Sequence, residues 1–217
     1  MESRPYALAE AVGTLKQFPV PKFDPTVTIS FRMGVDPKKS DQMVRGSVTL
    51  PHGTGKSVRV AVFAQGDAAK AATDAGADHV GYEDLIKKVQ EGFTDFDAAI
   101  ATPDAMSEVR KIARVLGPRG LMPNPKTGTV TDDTATAVKA AKAGKVDFKL
   151  DKNANISAAI GKASFSEDQL QENAESLIDS VVKAKPASAK GNYIENITLT
   201  ATMLPGLKLE NNAAIAD

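Results

Sequence analysis

The sequence predicts an α/β protein with two domains: a discontinuous α+β domain (split β-α-β, antiparallel) and an inserted three-layer α/β, Rossmann-like domain. Two observations predict this class. Both chain ends contain strands in which apolar and polar residues alternate, as in an antiparallel sheet with one solvated face. The middle alternates short apolar strands with helices, as in a parallel sheet covered on both faces. We assign residues 1–52 and 145–217 to the terminal domain and residues 53–144 to the inserted domain.

The first section predicts a helix followed by antiparallel strands. Apolar residues recur at helical spacing over residues 7–16, and Pro19 ends that helix. Residues 26–33 alternate between apolar and polar side chains, which predicts a half-buried strand. A turn over residues 36–41 and a partner strand over residues 46–50 complete this section.

The middle section predicts a parallel sheet with helices between its strands. Residues 58–64 contain no polar side chain after Arg59, which is typical of a strand covered on both faces. The elements predicted after it are helix 67–75, strand 77–81, helix 82–90, strand 98–101 and helix 104–116. A helix over residues 132–143 follows a long loop, with Thr131 as its predicted N-cap.

The last section returns to alternating strands. The predicted elements are strands 146–150 and 156–161, helix 166–184 capped by Ser166, and strands 193–201 and 207–209. The chain therefore passes twice between the domains. Two crossings make a hinge, which we assign to Pro51, His52, Gly53 and Gly144.

The loop from Leu116 to Val130 is the most distinctive segment. Its three glycines and three prolines exclude a long helix or a central strand, and its apolar residues predict an ordered, packed loop. From Val109 to Thr131 there is no acidic residue, while five residues are basic: Arg110, Lys111, Arg114, Arg119 and Lys126. A polyanion is the expected partner of such a segment, and a solvated basic face on an ordinary connection is the alternative.

Composition limits the function classes. The chain has 217 residues, 42% of them hydrophobic, which suffices for the cores of two modest domains. The absence of cysteine excludes disulfides, thiolate metal sites and thiol nucleophiles. No apolar stretch reaches the roughly 18 residues of a membrane span, so we predict a cytoplasmic protein without membrane contact. Because the net charge is zero, any nucleic-acid site must be local.

No catalytic or metal site is predicted. Residues 51–57, PHGTGKS, end like a phosphate-binding loop, but Leu50 occupies the position of the first glycine and a strand follows instead of a helix. A nucleotide-binding α/β enzyme that uses this segment is therefore only the alternative prediction. His52 and His79 have no metal-competent residue at a recognised spacing, so no metal or cofactor is expected.

A second candidate surface lies at three strand ends of the terminal domain. Its hydroxyls, small residues, lysines and apolar side chains suit an RNA minor groove, and ordinary strand ends in a sheet are the alternative. The residues are Lys22, Phe23, Asp24, Thr26, Gly161, Lys162, Ser164, Phe165, Thr200, Thr202 and Met203.

The loop LGPRGLMPNPKTGTV resembles the signature of the ribosomal protein L-one family, whose members form the mobile stalk of the large ribosomal subunit. Six further segments resemble the family in its order and spacing: KFDPTV, VDPKKSDQMVRG, TLPHGTGK, AGADHVG, FDAAIATPD and IGKASF. Together these segments cover nearly the whole chain. The resemblance implies a bacterial-type structural protein of the ribosome in the cytoplasm, monomeric when free, without enzymatic activity or cofactor.

The resemblance also implies RNA partners. The three strand-end segments would bind the stalk junction of 23S-type ribosomal RNA. The basic loop, with Lys56 and Arg59, would face deacylated transfer RNA leaving the exit site. Members of the family also repress translation of their own operon by binding its messenger RNA, which predicts the same activity here.

Two departures from the family bear on the expected RNA contacts. The family usually has Thr-Met-Gly-Pro where this chain has Thr202, Met203, Leu204 and Pro205. Because glycine permits close approach of the backbone to a ligand, Leu204 is expected to alter that contact. Members also commonly begin with a further basic segment ahead of the position of Tyr6. Either that segment is absent here or the start has been trimmed, and both would imply modestly weaker RNA binding.

Overall fold

A computed structural model describes residues 4–19, 21–189 and 191–210, and the chain divides into two compact units. The terminal unit comprises Met1–Gly55 and Val146–Asp217, and the inserted unit comprises Lys56–Lys145. These bounds differ by a few residues from those that the sequence suggests. Residues 53–55 group with the terminal unit because Asn173 Nδ2 donates to the Gly53 carbonyl and the Phe165 ring lies against Gly55.

The terminal unit is built on a four-stranded sheet. Its strands are β1 (Thr26–Met33), β7 (Asn155–Lys162), β8 (Ile194–Ala201) and β9 (Leu207–Leu209), in the order β7-β1-β8-β9 with antiparallel pairings. Alternate residues of β1 are buried, as predicted, and share one core with the helices α1 (Leu8–Gln17) and α7 (Glu167–Lys183). The apolar stripe of each helix is therefore buried against one face of this sheet.

A separate two-stranded sheet joins β2 (Arg45–Thr49) to β6 (Lys145–Lys149). The prediction that residues 46–50 form a partner of the first strand is wrong. Both edges of β1 are already paired along their length, with β7 on one side and β8 on the other. The chain thus enters the inserted unit after β2 and returns to the terminal unit at β6, so the insertion separates two strands that pair with each other.

The inserted unit has three layers. Its parallel sheet has the order β4 (His79–Gly81), β3 (Val60–Phe63), β5 (Ala98–Ala101). One face of β3 packs with α2 (Gly66–Asp74) and α6 (Thr134–Lys142), and the other packs with α3 (Glu83–Gln90), α4 (Met106–Val109) and α5 (Ala113–Leu116). Both faces of β3 are buried, which explains its uninterrupted apolar sequence.

Two helix starts test the predicted caps. Ser166 caps α7 in a capping box with Gln169, as predicted. Thr131 does not cap α6, because the helix begins later and Asp133 is its N-cap. The Asp133 carboxylate accepts a hydrogen bond from Thr136 N at 3.0 Å, and its hydrogen bonds with Thr136 hold the Asp133 pKa below its ordinary value.

The predicted helix 104–116 is interrupted. A 3₁₀ turn, Arg110–Ile112, separates α4 from α5. Across the described ranges, no helix has the length and apolar character that crossing a membrane requires.

Candidate nucleic-acid interface

The three strand-end segments predicted from the sequence meet at one edge of the terminal sheet. Since β1 is antiparallel to both neighbours, its amino end lies beside their carboxyl ends. Thr26 pairs with Lys162, and Val27 pairs with both Gly161 and Ala201. We call this the strand-end surface, and it comprises residues 22–26, 161–165 and 200–203.

Hydrogen bonds connect the three segments of the strand-end surface. Lys162 Nζ donates to Thr26 Oγ1 at 2.9 Å. The Asp24 carboxylate accepts from Ser164 N at 3.1 Å and from Ser164 Oγ at 2.8 Å. Thr202 N donates to the Thr26 carbonyl at 3.1 Å. The Asp24 carboxylate therefore faces its own chain, and its hydrogen bonds order the segment around Ser164.

Apolar side chains are also exposed on the strand-end surface. Met203 is 82% exposed and Phe23 is 48% exposed. Phe23 borders a shallow groove of about 430 Å³, whose other walls include Lys22, Asp24 and Ser164. An open groove with a serine hydroxyl, a lysine and an aromatic ring can accept a polynucleotide edge by shape.

Three predicted contact residues, Gly161, Phe165 and Thr200, have internal roles. The Phe165 ring is half-buried and packs against the backbone of two glycines. A Cβ on Gly55 would lie 2.8 Å from Phe165 Cε1, and one on Gly161 would lie 2.9 Å from Phe165 Cδ2 and from Leu170 Cδ2. Packing inside the unit therefore requires glycine at position 161, whatever binds outside. Thr200 Oγ1 likewise donates within the chain, to the Leu204 carbonyl at 3.2 Å.

The basic segment, residues 109–131, crosses one face of the inserted unit. Arg110, Lys111, Arg114 and Arg119 are exposed. Lys111 pairs with Glu108 at 2.7 Å, and this hydrogen bond raises the pKa of Lys111. Arg110 and Arg114 form no ion pair within the described part of the chain, so both guanidinium groups are available to a polyanion. Lys126 lies in a 3₁₀ turn, Pro125–Thr127.

The loop from Leu116 to Val130, which lies within the basic segment, is ordered, as predicted. The Asn124 carbonyl accepts from the backbone amides of Thr127 and Thr129, both at 3.2 Å. Leu121 and Met122 pack against the core formed with α3, α4 and α5. Val130 forms a parallel bridge to Ala101 at the end of β5. The glycines and prolines therefore shape a loop that returns the chain to the sheet.

Lys56 and Arg59 have carboxylate partners that the sequence analysis missed. Lys56 Nζ donates to Asp97 Oδ1 at 2.6 Å, and Arg59 pairs with both Asp95 and Asp97. The hydrogen bond from Lys56, followed by those from Arg59, lowers the pKa of Asp97, and the bond to Asp95 raises the pKa of Arg59. Arg59 and Asp97 are the residues directly before the parallel neighbours β3 and β5. A parallel pairing of these two strands, which the sequence predicted, places both residues at the same end of the sheet and could have indicated the ion pair.

The first crossing is fixed to α7 by a buried asparagine. Asn173 is fully buried; its Oδ1 accepts from His52 N at 3.1 Å, and its Nδ2 donates to the carbonyls of Gly53 at 3.0 Å and Ile160 at 2.7 Å. His52 Nε2 also lies 2.7 Å from Glu172 Oε2. At the second crossing, Gly144 follows α6 with φ of 97°, a conformation that favours glycine.

The alternative prediction of a nucleotide-binding enzyme requires a helix directly after residues 51–57, and the structure has none there. After residues 51–57 the chain enters β3, so no helix N-terminus is present to hold a phosphate. Among the described residues, no group of three or more histidine, aspartate or glutamate side chains could hold a metal ion.

Comparison with known proteins supports the sequence resemblance. Residues 15–205 match the sequence profile of the ribosomal protein L1p/L10e family. The chain is 54% identical over 211 residues to the large ribosomal subunit protein uL1 of Thermobifida fusca (strain YX), covering 97% of this chain and 90% of that protein. It is 57% identical over 210 residues to the protein of the same name from Saccharopolyspora erythraea, covering 97% and 88% respectively. The corresponding Corynebacterium kroppenstedtii protein is 55% identical over 208 residues, with 96% and 88% covered.

Proposed function

Because this chain belongs to the ribosomal protein L1p/L10e family, a family of large-subunit ribosomal proteins and not of enzymes, we propose that its strand-end surface binds the stalk junction of large-subunit ribosomal RNA. The observation that carries the proposal is the meeting of three separate segments at one edge of the terminal sheet. Their hydrogen bonds to one another provide a preformed surface, so little ordering entropy is lost on binding.

The chemistry of this surface favours shape recognition over charge. Lys22 and Lys162 supply only two cations, and Lys162 Nζ already bonds to Thr26. Hydroxyls, backbone groups and the exposed Phe23 and Met203 side chains can contact riboses and base faces of an RNA helix. We therefore expect specificity for a folded junction with a shallow salt dependence.

Binding of the full chain to an isolated stalk-junction RNA, against a scrambled hairpin of equal length, tests this proposal. Titrations run from about 50 mM to about 200 mM salt, a range over which nonspecific phosphate binding collapses. Tight binding to the junction alone, retained at the higher salt, supports the proposal. Equal binding to both RNAs that disappears with salt contradicts it, and no binding at low salt favours a protein-protein adaptor.

For the inserted unit we propose contact with exit-site transfer RNA through the basic segment. Arg110 in the 3₁₀ turn and Arg114 in α5 are both exposed, and neither has a carboxylate partner among the described residues. Lys56 and Arg59 are held by Asp95 and Asp97, so we expect them to contribute less. Release of deacylated transfer RNA would then follow movement of this unit with the stalk.

Neutralising the two arginines tests the transfer-RNA contact. In the Arg110→Gln/Arg114→Gln variant, transfer-RNA affinity should fall and the slope of log K against log salt should decrease by about 2, since each lost phosphate contact removes about one unit. The Lys70→Gln/Lys139→Gln variant is the matched control, because it removes equal charge from helices on the opposite face of the sheet. Equal losses in both variants would contradict a local site.

Movement between the units requires a hinge, which we propose at the two crossings. The segment from Pro51 to Gly55 is bonded to α7 and packed on Phe165, so we expect the first crossing to bend after Gly55. Gly144 would serve the second crossing.

Repression of the chain's own operon would use the same strand-end surface. If so, the stalk-junction RNA should displace the operon's leader messenger RNA competitively. Simultaneous binding of both RNAs to one protein molecule would contradict a shared surface.

A further inference from the structure

A largely apolar cavity is lined in part by Pro25, Ala163 and Ala201 of the strand-end surface. It has a volume of about 160 Å³, and its walls include Leu15 of α1, Val27 of β1, Leu170 of α7, and Leu204. Leu204 is half-buried and packs against the core of the terminal unit. This side chain therefore points inward from a loop whose neighbouring residues, Thr202, Met203 and Pro205, are exposed.

The loop that contains Leu204 makes a strained turn. Leu204 N donates to the Ala201 carbonyl at 2.9 Å and closes a turn over residues 201–204. Inside this turn Met203 has φ of 67°, in the left-handed region that residues with a side chain rarely adopt. The Met203 side chain is 82% exposed, so its own packing does not offset that strain.

Contacts on both sides of Met203 oppose relaxation of the turn. Before it, Thr202 N donates to the Thr26 carbonyl at 3.1 Å. After it, Leu204 has an apolar contact with the core, and its carbonyl accepts from Thr200 Oγ1 at 3.2 Å. If Met203 returned to the common backbone region, the chain after it would change direction and withdraw the Leu204 side chain from the core.

We infer that Leu204 is a positioning residue of the strand-end surface: burial of its side chain holds the turn that presents Met203 outward to RNA. This inference rests on the function proposed above. Leu204 itself does not contact the ligand in this arrangement. A residue that only fills the core would affect global stability, whereas a positioning residue also determines the local order of the turn.

Amide hydrogen exchange in the full chain tests the inference without RNA. In Leu204→Ala, the backbone amides of residues 202 and 204 should exchange about tenfold faster than in the wild type, because the strain at Met203 is no longer opposed. Amides inside β1 and β8 should be unaffected beyond any change in global stability. Val182→Ala is the matched control, since Val182 is another half-buried aliphatic side chain packed on the same core. Unchanged exchange at the two turn amides in Leu204→Ala would overturn the inference.

A second variant separates strain from packing. Glycine adopts the left-handed region freely, so Leu204→Ala/Met203→Gly should recover the protection of the turn amides that Leu204→Ala loses. Leu204→Met, which keeps apolar volume, should retain that protection. Failure of both variants to protect the turn would mean that the Leu204 side chain does not act through the Met203 conformation.

Dissociation of the stalk-junction RNA gives the functional readout. It should be about tenfold faster from Leu204→Ala than from the wild type, near wild type from Leu204→Met, and unchanged in Val182→Ala. If turn protection falls but dissociation is unchanged, the turn does not contribute to RNA binding and the functional part is overturned. If the wild type binds no junction RNA, the proposed function fails, and the exchange data still decide whether Leu204 holds the turn.

Discussion

At the scale of single residues, Asp24 has two opposite expected effects on RNA binding. Its negative charge would repel phosphates, but its carboxylate accepts two hydrogen bonds from Ser164 and orders the segment after β7. Asp24→Ala removes both the charge and the hydrogen bonds. We expect RNA affinity to fall about threefold to tenfold, because the loss of two hydrogen bonds worth about 1 kcal/mol each outweighs the gain from removing a charge that repels phosphates.

Asp24→Asn is the matched variant for this prediction. It removes the charge, but the Ser164 hydroxyl can rotate to accept from the new amide, so both hydrogen bonds persist. Titration of the two variants with junction RNA should give equal or tighter binding for Asp24→Asn and weaker binding for Asp24→Ala. Tighter binding in both variants would mean that charge, and not order, is the main contribution of Asp24.

A second residue-scale prediction concerns Asn173. Its three hydrogen bonds satisfy a buried amide and two carbonyls at the first crossing and the end of β7. Asn173→Asp has the same shape but no donor, and it places a carboxylate against the carbonyls of Gly53 and Ile160. We expect the free energy of unfolding of the terminal unit to fall by on the order of 3 kcal/mol, since buried groups lose their partners.

Urea denaturation followed by a probe in the terminal unit measures this effect. Asp179→Asn is the control, because Asp179 lies on the exposed face of the same helix. A loss below about 1 kcal/mol in Asn173→Asp would show that water replaces the missing donors and that the site is open to solvent.

At the scale of elements, the periodicity of apolar residues predicted the strands whose pattern follows directly from which faces are buried. The bounds of β1, β5 and β9 agree with the sequence prediction, because alternating or fully apolar runs follow directly from burial of one face or both. The pairing of β2 with β6 was not predictable. The two strands are almost a hundred residues apart in the chain, and the periodicity of apolar residues does not indicate which strand pairs with which. The cap of α6 was misassigned because Thr131 and Asp133 are both competent cap residues.

In the candidate site, too, sequence patterns did not predict contacts between residues that are distant in the chain. Counting charges along the chain found the basic segment, whose side chains are exposed whatever the tertiary structure. It could not reveal that Asp95 and Asp97 pair with Lys56 and Arg59, because these partners come together only when β3 and β5 align. Nor could it place Leu204 in the wall of a cavity formed by α1, β1 and α7.

The ion-pair cluster at the amino ends of β3 and β5 predicts an acid dependence of stability. The Lys56 hydrogen bond, together with those from Arg59, lowers the pKa of Asp97 in the folded state. A lowered folded pKa stabilises the protein above the unfolded pKa of about 3.9, and this contribution is lost as pH falls through the folded value. In Asp97→Asn, stability of the inserted unit should therefore decrease less steeply below about pH 4 than in the wild type.

Urea denaturation at several pH values between about 7 and about 3 measures this slope. Glu91→Gln is the control, because Glu91 is exposed and forms no ion pair within the described ranges. An acid slope of the inserted unit that is identical in Asp97→Asn and wild type would show that other carboxylates determine it.

At the scale of the whole molecule, separate cores predict separate unfolding. Among the described residues, the buried apolar side chains form one core in the terminal unit and two in the inserted unit, one on each face of its parallel sheet. The insertion also leaves after β2 and returns at β6, two strands that pair with each other. Replacing residues 57–144 by a short Gly-Ser linker should therefore leave the terminal unit folded, because closing a short loop between paired strands costs little entropy.

We expect the shortened protein to unfold in one cooperative transition, at the urea midpoint of the terminal unit in the full chain. Its affinity for junction RNA should be within about threefold of that of the full chain, because the strand-end surface lies wholly in residues 22–26, 161–165 and 200–203. It should lose transfer-RNA binding, because the basic segment is removed. The same linker inserted after Gly55 of the full chain is the control for the linker itself. Loss of cooperative unfolding in the shortened protein alone would mean that the terminal unit depends on the inserted unit for its stability. A folded protein with much weaker junction binding would instead place part of the ribosomal RNA contact on the inserted unit.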